Sequence, residues 1–370
     1  MRKIRKFAAF ITAASLLAAY RCLVPVLQHT QIGCASAPVV PPLPPAASTE
    51  TTLLPDSTLT RETQPVLLAP PAADSPLIIR RESDGSLARH NARPWQSSGD
   101  GAGGSIIDRH FGIHSGTQFF PLDSGGQIRN CTFWSNDDLL AESRVQPDLP
   151  LRIDGSPMVL IYHTHTTESY VLEKSGVYDS DFNFRSTEPD KNMVAVGDAI
   201  CAELAAAGIG VVHAAEIHDF PVWSGSYAGS AETVRALLDE FPSICIALDI
   251  HRDAISDGST VVAPVCSING AQAAQIMIIS GCDDGTMNMP NYRENFHFAC
   301  KLQQTAESMF SGFTRPVLFD YRKYNQDLTT GSLLIEVGSQ GNTLEEACRA
   351  GQGIGQALAA CISDLVSLTD

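Results

Sequence analysis

In the stretch VLIYHTHTTESY, residues 159–170, an aliphatic run breaks off into His163, Thr164 and His165, with Glu168 three residues beyond. Two other stretches end in the same way. SICIALDI leads into His251, Arg252 and Asp253, and GSLLI leads into Glu336, with Gly338 and Asn342 following. Imidazoles and carboxylates are costly beside an apolar core unless each has a partner, and one metal ion could serve all three clusters. Zinc is the metal expected, because it takes imidazole nitrogen and carboxylate oxygen and keeps a position open for water when catalytic. Two histidines two residues apart on an extended segment face the same side, so His163 and His165 could both reach the ion, or one could orient the other from behind. A carboxylate outside the coordination sphere would serve as general base, and Glu336 is placed for that role. Each cluster alone has a plainer explanation: a hydrogen-bonded His pair in a turn, His251 bonded to Asp249 or Asp253, Glu336 paired with Arg252. Their coincidence at three strand ends is what argues for a site.

The elements that must position these residues alternate along the chain. PMVLIY has the length of a buried strand, and DKNMVAVGDAICAELAAAG follows with helical spacing at Met193, Val196, Ile200 and Leu204, stopped by Gly208. IGVVH predicts a second strand, SAETVRALLDEF a helix capped by Ser230, and SICIALDI a third strand. STVVAPVCSI and AQIMIISG read as strands, NYRENFHFACKLQQTAESMF contains a helix, RPVLFDY is a short extended piece, GSLLIEVG is the last strand and TLEEACRAGQGIGQALAACISDL closes as a helix. Apolar strands without alternation, separated by helices, predict an α/β domain whose mostly parallel sheet is covered by helices on both faces. In such sheets ligands gather at the carboxyl ends of the strands, where the three clusters fall.

The rest of the chain is built differently. Residues 1–6 carry four basic side chains and precede the apolar run Phe7 to Tyr20, which resumes after Arg21. Residues 1–27 are therefore expected to form a cytoplasmic start and a single membrane anchor that leaves the remainder outside the cytoplasm. A cleaved signal peptide, with Ala35 and Ala37 in an A-x-A pattern, is the competing reading. Ten of the 22 prolines lie between Pro38 and Pro76, so residues 28–104 are expected to be a solvated, disordered spacer. Residues 105–154 read as a lead-in with short strands in TQFFPL and QIRNCTFW, and residues 155–370 as the catalytic domain. The net charge of −16 argues against nucleic acid as a partner. No C-x-x-C pair occurs among the ten cysteines, and Cys201, Cys245 and Cys282 sit in apolar runs as small hydrophobes. Ser169 lacks a G-x-S-x-G elbow, which disfavours a serine hydrolase. His218, beside Asp219, and Tyr227 in GSYAGS are read first as loop packing, with substrate contact as the alternative.

The motifs IYHTHTTESY, NMVAVGDAICAEL with GIGVVH, SGSYAGSAETV, PSICIALDIHRDAI and LLIEVGSQGNT, in that order, resemble the stage II sporulation protein P family, membrane-anchored cell-wall hydrolases of endospore formers. The resemblance covers about residues 155–350. It implies a zinc-dependent N-acetylmuramoyl-L-alanine amidase, with endopeptidase activity also attributed to the family, acting on peptidoglycan during engulfment. It also implies the lytic transglycosylase stage II sporulation protein D and the membrane protein stage II sporulation protein M as partners. Residue by residue, the similarity to zinc amidases makes His165 and His251 zinc ligands and Glu336 the catalytic glutamate, with Asn342 near the end of the last motif. His163 has no counterpart and is assigned a supporting catalytic role, and with Arg252 it is a candidate to stabilise the oxyanion. The third ligand is open among Glu168, which is favoured, and Glu188, Asp190 and Asn192. A zinc peptidase restricted to stem peptides, or an envelope scaffold that binds without cutting, are the alternatives to the amidase.

Overall fold

Aliphatic residues on both faces of one segment can be satisfied only between two covering layers, and that constraint organises the sheet. A computed structural model describes residues 77–83, 103–180 and 182–368. In chain order the described strands are β1 (Ile78–Arg81), β2 (Gly104–Arg109), β3 (Phe119–Pro121), β4 (Gln127–Asn130), β5 (Pro157–Tyr162), β6 (Val177–Tyr178), β7 (Gly210–Ala214), β8 (Ile246–Asp253), β9 (Ser256–Asp257), β10 (Thr260–Ile268), β11 (Ala271–Ala274), β12 (Ile276–Gly281), β13 (Val317–Asp320) and β14 (Gly331–Ser339). The described helices are α1 (Asn136–Glu142), α2 (Met193–Ala206), α3 (Ser226–Glu240), α4 (Tyr292–Met309) and α5 (Leu344–Ser367).

The main sheet has nine strands in the order β1-β7-β5-β8-β14-β12-β13-β4-β3. The run from β1 through β14 is parallel, β12 lies antiparallel to β14, β13 and β4 follow parallel to β12, and β3 is antiparallel again. The fold is thus mixed α/β with a largely parallel sheet. A smaller sheet, β11-β10-β2-β6, stands apart from it, with β9 paired to β10.

Alternation sorts the strands into two faces. Val159, Ile161, Val211, Leu248, Ile250, Leu333, Ile335 and Val337 join side chains of α2, α4 and α5 in the principal core. Leu160, Tyr162, Val212, Ala214 and Ala247 face the other way, against Val234 and Leu237 of α3. Toward β12 and β13 that second face holds only the small cluster of Ile279, Leu318 and Leu334. The expected strands and helices from Pro157 onward are present, with two adjustments. Helix α3 begins at Ser226 behind Gly225, which has φ +94°, so Ser230 is not a cap but a buried residue inside the helix. Strand β8 runs on through His251 and Arg252 to Asp253, because β14 continues to pair alongside it.

The domain boundary also lies earlier than expected. Strand β1 comes from the segment read as spacer, and β4, from the lead-in, pairs with β13 in the main sheet. Two isoleucines among prolines escape a reading by composition, yet Ile78 packs on one core and Ile79 on the other. The expected anchor in residues 1–27 and most of the spacer lie outside the described residues. Among the described residues no helix is long and apolar enough to cross a membrane. The eight described cysteines are all free, and burial raises the thiols of Cys201, Cys245 and Cys282, in keeping with their place in the core.

Helix α2 reaches the sheet at Gly197, where an added methyl would stand 2.4 Å from His213 Nε2 and 2.8 Å from His163 Nε2. Alanine for glycine inside a helix normally stabilises by about 1 kcal/mol. Here Gly197→Ala is expected to destabilise by roughly 1–3 kcal/mol through overpacking. The denaturant midpoint measures it, and a midpoint at or above that of the parent chain would rule out the close approach of α2 to the two rings.

Candidate active site

Strands β8 and β14 lie parallel and in register, with Glu336 directly beside His251 on the face that carries Asp249. The same face at the end of β5 receives the turn at residues 164–167. Asp249, fully buried, joins these elements: it accepts from Thr164 N at 2.8 Å and from Thr164 Oγ1 at 2.6 Å, and its Oδ1 lies 2.8 Å from His251 Nε2. The contact to His251 is close but poorly aligned for a hydrogen bond, since His251 Nε2 has no properly directed acceptor. Burial alone would raise the Asp249 pKa, but the facing imidazole and the Thr164 donors outweigh it and hold the carboxyl below its ordinary value. Burial likewise works against a charged His251, and Asp249, Glu168 and Glu336 overcome it, lifting the imidazole to about 9.

His165 lies beside this pair. Its ring is 5.2 Å from that of His251 at 77°, stacks on Trp223 at 5.2 Å and 17°, and meets Tyr227 edge-on at 5.5 Å. Burial, then the neighbouring His251, hold its pKa below the usual histidine value. Its Nδ1 is buried without a hydrogen-bond partner, 4.0 Å from Asp219 Oδ2. Glu168 Oε2 accepts from Arg252 N at 3.1 Å and lies 3.8 Å from His251 Nδ1. The Oε2 of Glu336 is shut off from solvent and has no partner. Burial first, and Asp253 second, push the Glu336 carboxyl up to about 8.

These orphaned atoms test the expected metal. Unpartnered buried nitrogen and oxygen are what a cation would satisfy, and two imidazoles with a carboxylate are a donor set that suits zinc. Ligands about 2.0–2.2 Å from a tetrahedral ion stand roughly 3.4 Å apart, and the 3.8 Å between His251 Nδ1 and Glu168 Oε2 comes close to that. The donors fit by chemical type, but they do not yet converge: among the described residues no group of three or more His, Cys, Asp or Glu side chains is arranged to hold a metal.

The structure brings His165, His251, Glu168, Glu336 and Tyr227 together. The other expected ligands are engaged elsewhere: Glu188 pairs with Lys191, Asp190 is exposed in a turn, and Asn192 caps α2 through Val194 N while donating to Ser186 O. His163 is not at this face. The chain leaves the strand after Tyr162 and turns at Thr164, so the period-two rule fails and the two rings part. His163 Nδ1 sits 3.1 Å from Ile250 O and its Nε2 3.0 Å from His213 Nε2; His213 Nδ1 lies 2.9 Å from Asp198, which also binds Arg80 of β1. His163 Nδ1 is the donor to the Ile250 carbonyl, which can only accept, and one proton lies between the two facing Nε2 atoms. Burial, with His213 next, drops the His163 pKa to about 3.

Arg252 and His218, expected at the substrate, and Asn342, a third candidate for substrate contact, hold backbone. Arg252 donates from Nε to Ser169 O at 2.8 Å and from Nη2 to Phe184 O at 3.0 Å. Asn342 donates to Pro264 O and Glu346, and accepts from Ser339 N, locking the turn in which Gly338 takes φ +60°. His218 bridges His163 O and Thr233 Oγ1, both at 3.0 Å. Sequence reasoning named Asp249 only as a plain partner of His251, beside which the structure places it, and missed Asp219, Arg185 and Trp223 as parts of the site. Alternation in ALDIHRD places Asp249 on the face of His251 and was a usable signal; Trp223 and Arg185 lie in loops without one.

A mixed α/β domain with imidazoles and acidic groups gathered at adjacent parallel strand ends defines a class of domain with a polar site at the carboxyl edge of its sheet. Comparison narrows the class. The stage II sporulation protein P family model matches residues 135–359, and the chain belongs to that family. It is similar to stage II sporulation protein P of Bacillus subtilis strain 168, with 32% identity over 217 residues, 55% of this chain and 51% of the relative. It thus spans about half the length of the curated relative it matches. Among solved structures, N-acetylmuramoyl-L-alanine amidase AmiC2 of Nostoc punctiforme aligns at 15% identity and TM-score 0.33, covering 57% of this chain and 97% of that one. The CwlD amidase of Clostridioides difficile, solved in complex with the GerS lipoprotein, aligns at 12% identity and TM-score 0.34, covering 57% and 99%.

The raised Glu336 pKa carries a sign. The folded state keeps a proton that the unfolded chain releases near pH 4.5, so this group's contribution is full below that pH and is lost as pH rises through about 8. In chelator-treated protein, Glu336→Gln is expected to melt close to the parent chain at pH 5 and above it at pH 9. Parallel melting curves across that range would contradict the buried, unpartnered carboxyl.

Proposed function

We propose that the domain is a zinc-dependent peptidoglycan hydrolase that cleaves the amide between N-acetylmuramic acid and the L-alanine of the stem peptide. The observation that carries this reading is Glu336, whose Oε2 is buried without a partner and whose position on β14 is in register with His251. Membership of the sporulation family supplies the substrate class. His165, His251 and Glu168 would hold the ion. A zinc ion bound there supplies Lewis-acid polarisation of the scissile carbonyl and of the attacking water.

The remaining work falls to the chain's own side chains. Glu336 accepts the proton of the attacking water and returns it to the leaving amine. Asp249 Oδ1 stands 2.8 Å from Nε2 of His251 while Nδ1 lies toward Glu168, and a small rotation of the ring would let Asp249 take the orienting place of a carboxylate behind a ligating histidine. Tyr227 walls the site beside both imidazoles. The sequence pattern extends the proposal to a single-pass anchor in residues 1–27 with the domain outside the cytoplasm. Family membership extends it to stage II sporulation proteins D and M as partners.

Digestion of purified muropeptides tests the bond cleaved: release of intact stem peptide is expected, and peptide fragments alone would point to a stem-peptide peptidase. Glu336→Gln is expected to lower the rate about 10²- to 10⁴-fold, whereas an unchanged rate would refute the mechanism. Metal analysis is expected to find about one zinc per chain, lost in His165→Ala, His251→Ala and Glu168→Ala. Full retention in Glu168→Ala would move the third ligand elsewhere.

A further inference from the structure

Between the loop around Arg185 and the loop that ends at Trp223 lies a pocket of about 330 Å³. Phe220, Pro221 and Trp223 form one wall, and Asn183, Arg185 and Ser186 stand on the other. Two lining residues also touch the site: Trp223 stacks on His165, and Asp219 Oδ2 is 4.0 Å from His165 Nδ1. The volume is at the low end of the roughly 300–1,000 Å³ of small-molecule sites, which suits one ring-sized group and not a chain.

The charge on the polar wall is already matched. Arg185 Nη1 lies 2.7 Å from the buried Asp219 carboxylate and Nη2 lies 3.8 Å from Glu168. An anionic ligand would have to take Arg185 from these carboxylates and then sit beside them, and a cation would have to displace Arg185. A neutral ligand with polar edges meets neither cost. Trp223 is 60% exposed and its neighbour Val222 64%, so a large indole remains open to solvent at the mouth of the candidate site. Exposed aromatic surface beside a cleft marks a place where a ligand docks. A pyranose ring offers C–H groups to an aromatic face and hydroxyl and amide groups to a polar rim.

We propose that this pocket binds one N-acetylated sugar ring of the glycan strand, stacked on Trp223 next to His165. The sugar class rests on the hydrolase reading above. A sugar held there sets the bond that joins glycan to peptide at the acidic cluster, so Trp223 becomes a determinant of where the enzyme cuts.

The probe is the neutral β-1,4-linked N-acetylglucosamine tetramer, titrated calorimetrically into the full chain, Trp223→Ala and Trp223→Phe. Loss of an aromatic anchor typically costs more than about tenfold in affinity. Trp223→Ala is expected to weaken tetramer binding by at least that factor, Trp223→Phe to restore most of it, and both variants to melt with the parent chain. With glycan-linked substrate, KM should rise in Trp223→Ala and return most of the way in Trp223→Phe. No binding by the parent chain, equal binding by Trp223→Ala, or a Trp223 effect confined to sugar-free stem peptide would each overturn the proposal. Tetramer binding that depends on Trp223 in a chain unable to cleave the lactyl amide would refute the proposed activity and leave the sugar site standing.

Discussion

A carboxylate with no exposed surface must have its charge answered locally, and Asp249 sets the terms for the site around it. It takes both donors of Thr164 and stands against His251, so the end of β5 and the middle of β8 are held at one point. The turn that presents His165 and Glu168 starts from that clamp. Glu168 then closes back onto β8 by accepting from Arg252 N. The polar cluster is therefore one unit held between β5 and β8, with Glu336 of β14 beside it.

Opposite this face, a second polar chain runs from Ile250 O through His163, His213 and Asp198 to Arg80. It lies beneath α2, on the side of the principal core. The two imidazole systems are separated by the thickness of the sheet and begin at residues two apart in sequence. One belongs to the candidate site; the other supports the backbone from which the first departs.

Much of this was legible in the residues. Buried strands announce themselves by unbroken aliphatic runs, and the end of β5 was readable where polar residues interrupted it, whereas β8 and β14 continue past His251 and Glu336. Glu336 and His251 were found because they follow such runs directly. His163 was misplaced because period two holds only while the chain stays extended, and nothing in HTHTTE states that a turn begins at Thr164. Arg252 and Asn342 look like ligand-binding side chains by type, yet backbone carbonyls of neighbouring segments claim them, and those carbonyls are invisible until the chain path is known. Strand β1 was hidden by its neighbours: four residues cannot outweigh a proline-rich window, although pairing with β7 is enough to fix them.

That short strand has a mechanical meaning. Strand β1 is the edge of the main sheet and runs parallel to β7. A pull on the chain ahead of residue 77 would load this pair along the strand axis, in shear, so its backbone bonds would share the force and not open one by one. The first side chain deeper in the domain to feel that load would be Arg80, through Asp198. Tension in the leading segment thus reaches the packing beneath the His163 turn through the Arg80 guanidinium as well as through Ile78 and Ile79.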